Sequence, residues 1–373
     1  MQRTTPPFRA DQVGSLLRSK PLKEARAKRE AGEISAADLT AVEDAEIRKL
    51  VAKQEEVGLQ AVTDGEYRRS WWHFDFLTQL DGVDLVVGEK TIQFHNVQTK
   101  AHSLNISGKI GFGDQSFVDH FKFLKANTNV VAKMTIPSPS VLHFRLGRNS
   151  ISRDLYPNLD DFFADTADAY RKAVNAFADA GCKYLQFDDT VWAYLCSAEQ
   201  CEQARQRGDD PEALPKIYAD MINHALAERP SDMAITMHVC RGNFRSSWIS
   251  EGGYEPVAEV MFNDVNIDGF FLEYDTDRAA PVCAQGRQAG RSRPDHVEER
   301  NAGKQGRRQE AHRGGDPVCR PRSVLPQPAV RLRLDRGGQH PYRGAAMGEA
   351  ADDRRDLQGS LGVRHGWGLF EPR

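Results

Sequence analysis

Leu39, Val42, Ile47, Leu50, Val51 and Val57 recur at helical spacing, which stacks them on one face of a helix. Ser35-Ala-Ala-Asp38 just ahead is a capping-box-like start, with Asp in place of Glu, and Gly58 is the stop. LQAVTDGE then reads as a buried strand ending in acids. The unit returns further on: Phe163, Ala167, Tyr170, Val174 and Phe177 form a helical face, Gly181 ends it, and KYLQFDD is the next strand. NVVAKMTIPSPS, AITMHVC and GFFLEYD are further short β-rich runs, and RADQVGS is a first one near the N-terminus. KTIQFHNVQTKAHSLNISGKIGF predicts a hairpin inserted between two units. Short β-rich runs between amphipathic helices imply βα units on a parallel sheet, an α/β fold.

Each predicted strand carries reactive side chains where it runs out. Ser15 follows the first, Glu66 the second, Asp188 and Asp189 end LQFDD, His238 and Cys240 end ITMHVC, and Glu273 follows FFL. In a (β/α)8 TIM barrel these ends converge on one face, where the loops build the site. A doubly wound sheet spreads them along a crevice instead. Four strands ending in chemistry, besides the short first one that leads to Ser15, favour the barrel.

Composition narrows the class. The chain has 373 residues, 40% of them hydrophobic and 28% charged, with a formal net charge of −3 and a pI near 6.4. That length suits one large barrel with insertions, and the charge predicts neither nucleic acid nor a membrane surface as partner. No apolar run approaches the roughly 20 residues of a membrane helix. The start, MQRTTPPFRADQVGS, has no apolar core of a signal peptide. The six cysteines, Cys182, Cys196, Cys201, Cys240, Cys283 and Cys319, are therefore read as reduced thiols, and the expected compartment is cytoplasmic.

The texture changes at residue 279. From Ala279 to Arg373 there are 17 Arg and one Lys, Lys304, with no Ile and no Thr. Apolar periodicity vanishes in runs such as CAQGRQAGRSRPD. We expect residues 1–278 to be an incomplete barrel and 279–373 an aberrant Arg/Gly-rich tail, disordered. A basic tail is one reading of that composition. The other is GC-rich coding DNA read out of frame, which gives Arg, Gly, Ala and Pro and starves Lys and Ile.

His238 and Cys240 are the sharpest local signal. Alternate residues point to the same side of a strand, so both can reach one metal at roughly 2.0–2.3 Å. Glu273, one strand later, would complete an N, S, O donor set suited to Zn2+; its bland alternative is a buried acid paired with an Arg. Glu66 and Asp188 would bind a cationic group such as an α-ammonium, or salt-bridge to Arg68, Arg69 or a distant Lys. Trp71, Trp72, His73 and Phe74 could stack on a flat ligand or simply pack a loop.

VGSLLR, VTDGEYRRSWWHFDF, LQFDD, MHVCRGN and FLEYDTDR, in that order, resemble the cobalamin-independent methionine synthase family, in particular its short single-barrel branch. The resemblance spans nearly all of residues 5–278. It implies a (β/α)8 barrel that moves a methyl group onto the thiol of homocysteine to give methionine. It also implies that His238, Cys240 and Glu273 are zinc ligands, and that Ser15, Glu66 and Asp188 hold the homocysteine backbone and amino group. A free thiol titrates near pH 8.5, and zinc coordination deprotonates it while leaving it nucleophilic. The implied donor is a methyl-tetrahydrofolate; the resemblance names no proton donor for its departing nitrogen.

The family's fourth zinc ligand is a Cys in a late Pro-Gln-Cys-Gly-Phe motif, which this chain lacks. Residues 328–340 read PAVRLRLDRGGQH. With permitted codons, that string read one nucleotide later becomes Pro-Gln-Cys-Gly-Phe-Ala-Ser-Thr-Glu-Glu-Gly-Asn, the family's terminal pattern. A frameshift near Ala279–Pro281 is therefore expected, with Val330 about where the Cys codon lies. The chain as written would bind zinc weakly and be largely inactive. Two other readings stay open from sequence: a metal-free barrel of the uroporphyrinogen decarboxylase type, or an inactive product.

Overall fold

The computed structural model describes residues 4–87, 93–94, 97–98, 102–242, 248–273 and 324–326. Its strands are β1 (Ala61–Val62), β2 (Asp81–Val87), β3 (Gln93–Phe94), β4 (Val97–Gln98), β5 (His102–Gly111), β6 (Val131–Pro137), β7 (Tyr184–Asp189), β8 (Ala234–Val239), β9 (Gly269–Leu272) and β10 (Val324–Pro326). The helices are α1 (Lys20–Glu30), α2 (Ala36–Glu56), α3 (Phe74–Leu77), α4 (Ser116–Ala126), α5 (Pro139–Leu146), α6 (Leu159–Asp179), α7 (Val191–Tyr194), α8 (Ala198–Gln206), α9 (Leu214–Ala225) and α10 (Glu255–Asn263).

Six of these strands form one curled parallel sheet, in the order β1-β6-β7-β8-β9-β10, a half-barrel. Parallel strands covered on both faces read as buried runs, and every residue of β7 and β9 is buried. The two faces differ all the same. Met134, Ile136, Leu185, Phe187, Ile235, Met237 and Phe270 are the buried apolar positions. Phe187 meets Tyr170 of α6 edge-on and Phe270 meets Phe262 of α10, so these side chains face the helices. The alternate positions are mostly polar, and register lines them up in rows. Lys133 is level with Tyr184, Thr135 with Gln186 and Thr236, and Asp188 with His238 and Phe271.

The N-terminal segment lies against this polar face. RADQVGS is not the regular strand its sequence predicts. Its carbonyls are taken by side chains instead of a ladder: Lys133 Nζ donates to Gln12 O (2.6 Å), Gln186 Nε2 to Val13 O (2.8 Å) and Thr63 Oγ1 to Gly14 O (2.7 Å). Gly14 sits at φ +118°, and a Cβ there would come within 2.7 Å of Thr135 Cγ2, so no other residue fits.

The helix over 159–179 matches its predicted face; in the one over 36–56 Ile47, Leu50 and Val51 are buried, Leu39 and Val42 are half-buried, and Val57, its C-cap, is exposed. Ser35 and Asp38 cap each other's backbone as the capping box requires, and Asn158 caps α6. The strand predicted over LQAVTDGE shrinks to Ala61–Val62, because the chain turns at Gly65 (φ +66°) and Glu66 (φ +58°). The predicted hairpin begins earlier than expected. β2 pairs antiparallel with β5, and the short β3–β4 pair lies between them in sequence. Of the Arg-rich span, Val324–Pro326 forms β10 on β9. Its remaining residues, Val330, Lys304, Cys283 and Cys319 among them, lie outside the described residues, as does the expected frameshift point. Among the described residues no helix is long and apolar enough to cross a membrane.

Candidate metal and substrate site

β8 carries His238 near its end, and Cys240 follows two residues on. The ladder continues one step beyond the strand, through Cys240 N to Asp189 O (2.8 Å), so strand alternation still holds and both side chains face inward. Glu273 comes directly after β9, the neighbouring strand. Its backbone oxygen accepts from Arg241 Nε (3.1 Å) and Tyr254 Oη (3.2 Å), which fasten the end of β9 beside the end of β8. One donor atom each of His238, Cys240 and Glu273 lies within 4.8 Å of the other two, and all three residues are buried.

Burial drives the His238 imidazole down to about 4, so it is neutral, with a nitrogen lone pair to offer. Burial, and then the carboxylate of Glu273, raise the Cys240 thiol well above its ordinary range; Gly242 N donates to its Sγ (3.3 Å), which opposes that rise. This donor set fits a borderline-soft divalent cation. Tetrahedral zinc needs ligand atoms roughly 3.5 Å apart, somewhat closer than the 4.8 Å that bounds the three donors here.

Asp188 stands next to the cluster, its Oδ1 3.3 Å from His238 Nδ1 and accepting from Gln186 Nε2 (2.6 Å). Burial pushes its carboxyl up to about 7. Glu66 is fully buried in a left-handed conformation, and among the described residues it is the one non-glycine with positive φ. Its Oε1 accepts from Arg69 Nη1 (3.2 Å) and Thr135 Oγ1 (3.2 Å). Burial raises its carboxyl, Arg69 opposes the rise, and Asp188 adds to it. Of the alternatives raised from sequence, Arg69 does pair with Glu66, whereas Arg68 turns away to Glu43 and Asp44.

Glu66 Oε2 and Asp188 Oδ2 are both buried and accept no hydrogen bond of ordinary geometry among the described residues. A buried acceptor left so costs about 1–3 kcal/mol. The surroundings hold three carboxylates, Asp64, Glu66 and Asp188, against two guanidiniums, Arg18 and Arg69, while Lys133 is paired with Asp11. Ser15 lies at the rim of the same region, where Arg18 Nη1 donates to its Oγ (2.7 Å).

Sequence reasoning missed the roles of Arg18 and Thr135, which with Arg69 surround Glu66. Arg18 closes the VGSLLR run, but no periodicity points it at Glu66, and only the folded chain reveals that contact. Trp71, Trp72, His73 and Phe74 pack among themselves, with the His73 and Phe74 ring centroids 4.0 Å apart.

Residues 8–251 match the family model described as "Cobalamin-independent synthase, Catalytic domain". The uncharacterized protein YxjH of Bacillus subtilis (strain 168) is 51% identical over 274 residues, 73% of this chain and 72% of its own. The methionine synthase of Pyrococcus furiosus is 24% identical over 248 residues, 66% of this chain and 62% of its own. A crystal structure from Listeria monocytogenes, assigned as a vitamin-B12-independent methionine synthase, superposes with a TM-score of 0.60. It is 44% identical to this chain and covers 74% of it and 79% of its own length.

Proposed function

The chain belongs to the cobalamin-independent methionine synthase family, and from that premise we propose that it transfers a methyl group to the thiol of homocysteine, with Zn2+ held by His238, Cys240 and Glu273. The observation that carries this reading is the juxtaposition of two incomplete sites. A buried N, S, O donor set stands beside two buried carboxylate oxygens that lack donors. An amino-acid thiol bridges them.

Glu66 and Asp188 accept from its ammonium, Ser15 holds its backbone, and the sulfur reaches toward His238, Cys240 and Glu273. Zinc, when bound there, lowers the acidity barrier of the substrate thiol at neutral pH. The new bond joins sulfur to the methyl carbon. The bond that breaks leaves its electron pair on the donor, a methyl-tetrahydrofolate, whose nitrogen then takes up a proton. Burial excludes water from both halves of the site and strengthens every charge interaction in it. The closed (β/α)8 barrel and a fourth ligand, the Cys recovered by the shifted frame around Val330, complete this reading. The similarity to YxjH extends over 274 residues, about the length of the span that precedes the change of composition.

The test is to express the chain as written and a frame-restored version, measure zinc by mass spectrometry, and follow methionine formation from homocysteine and 5-methyltetrahydrofolate, mono- and polyglutamylated. Zinc-dependent methionine formation by the restored protein is the expected result. A restored protein that holds zinc yet methylates no homocysteine overturns the reaction, and one that holds no metal overturns the site.

A further inference from the structure

Arg18 is buried, and its guanidinium bridges two segments of chain. Nη1 donates to Ser15 Oγ (2.7 Å) and Leu16 O (2.9 Å); Nη2 donates to Glu66 O (2.8 Å). The segments are joined elsewhere as well, through Leu16 N to Gly65 O (3.1 Å) and Tyr67 Oη to Leu17 O (2.6 Å). Glu66 O also accepts from Arg69 N (3.1 Å), and Glu66 N donates to Asp64 Oδ1 (2.8 Å). The left-handed backbone of Glu66 is thus held at both its nitrogen and its oxygen.

We propose that Arg18 is a positioning residue that locks Ser15 and Glu66 into a single recognition unit for an α-amino acid, reading its carboxylate and its ammonium together. This rests on the role given above to Ser15 and Glu66. What separates it from a structural ion pair is where the guanidinium spends its donors. It lies 3.9 Å from Glu66 Oε2 without bonding it, and gives its N–H groups to the Glu66 carbonyl and the Ser15 hydroxyl. The free carboxylate oxygen therefore stays open to a ligand while its aim is fixed. A hydroxyl that accepts from a cation is also a stronger donor, which suits Ser15 to a substrate carboxylate. Only a planar fork reaches both segments at once; a lysine ammonium reaches one.

The test measures binding of L-methionine, which carries the same backbone as homocysteine without an oxidisable thiol, and of 4-(methylthio)butanoate, which lacks the ammonium. Calorimetry on the full 373-residue chain compares wild type, Arg18→Lys, Arg18→Gln and Ser15→Ala. Wild type is expected to prefer methionine by about tenfold or more, and both Arg18 variants to bring the ratio near one, as expected when a charge-assisted, bidentate contact is lost. Their zinc content is expected to match wild type, because the donor set lies on other strands. Arg18→Lys combined with Ser15→Ala is expected to be no worse than the weaker single variant, since the two act through one contact. A wild-type chain indifferent to the ammonium overturns the amino-acid reading of the site, and Arg18's role with it. A discriminating wild type whose folded Arg18 variants keep the full ratio overturns the Arg18 assignment alone. So does a double variant whose losses multiply.

Discussion

Two buried polar clusters share the inner face of one sheet, and they differ in how completely they are satisfied. At the N-terminal ends of the strands, Lys133 Nζ bonds Asp11 Oδ1 (3.1 Å) and Gln12 O (2.6 Å) and lies over the rings of Tyr184 and Phe271. Asp11 Oδ2 accepts from Tyr184 Oη (2.6 Å). That cluster is closed: every charge has its partner. At the C-terminal ends, Glu66 Oε2 and Asp188 Oδ2 accept no hydrogen bond of ordinary geometry among the described residues, and three groups able to hold a metal ion converge beside them. What sets the second cluster apart is that its donor-poor carboxylate oxygens stand beside a His, Cys and Glu set that could hold a metal ion.

The comparison is broken most forcefully from its closed end. Lys133→Met leaves Asp11 buried without its cation and is expected to cost about 3–5 kcal/mol in urea unfolding, with the Asp11→Asn double variant recovering part of the loss. A stability change under 1 kcal/mol would show that the lower cluster is not the structural one. At the open end, Cys240→Ser is expected to weaken zinc binding about 100-fold, near 2.7 kcal/mol, in a chelator competition, with little change in the metal-free unfolding midpoint. Equal metal affinity in variant and wild type would remove Cys240 from the donor set.

A titrating group outside both clusters provides a reference. Burial holds the His143 imidazole down to about 3, so it is neutral in the fold and charges in the unfolded chain near its ordinary 6.5. The stability it contributes is present above pH 6.5 and is lost as pH falls toward 3. Each unit costs about 1.4 kcal/mol, or about 2 kcal/mol at pH 5. His143→Gln should make the loss of stability between pH 7 and 5 smaller by about 2 kcal/mol in a series of melts, the other buried imidazoles keeping their share; an unchanged slope would place the titration elsewhere. Glu66→Gln keeps an oxygen for Arg69 and Thr135 but removes the charge beside Arg69 and Arg18; it is expected to cost about 1–3 kcal/mol, while methionine binding is lost. A large destabilisation with binding retained would reverse the assignment of the two clusters.

The parts of the molecule governed by local pattern were legible in the sequence. α6 follows its apolar face and α2 does so at Ile47, Leu50 and Val51, β6 to β9 follow their buried runs, and strand alternation brings His238 and Cys240 to one side. Glu273 could be placed beside them because neighbouring strands end together. The first fifteen residues could not be read this way. A segment whose carbonyls bond to Thr63, Lys133 and Gln186 looks, residue by residue, like a strand. The clasp of Arg18 on Glu66 spans 48 positions and leaves no periodic trace. The short β1 likewise reflects the turn at Gly65 and Glu66, where the needs of a carboxylate outweigh the preference of its backbone.

The threading of residues 11–14 along the sheet also ties distant parts of the chain together. Asp11 and Val13 are bonded by residues 173 positions later in the chain, Tyr184 and Gln186. The same segment is bonded by Gln54 and Thr63 near the start of the chain and by Lys133 of β6. The stretch that carries Ser15 is thereby placed by three separate parts of the sheet at once, so its position is a property of the whole half-barrel and not of one strand.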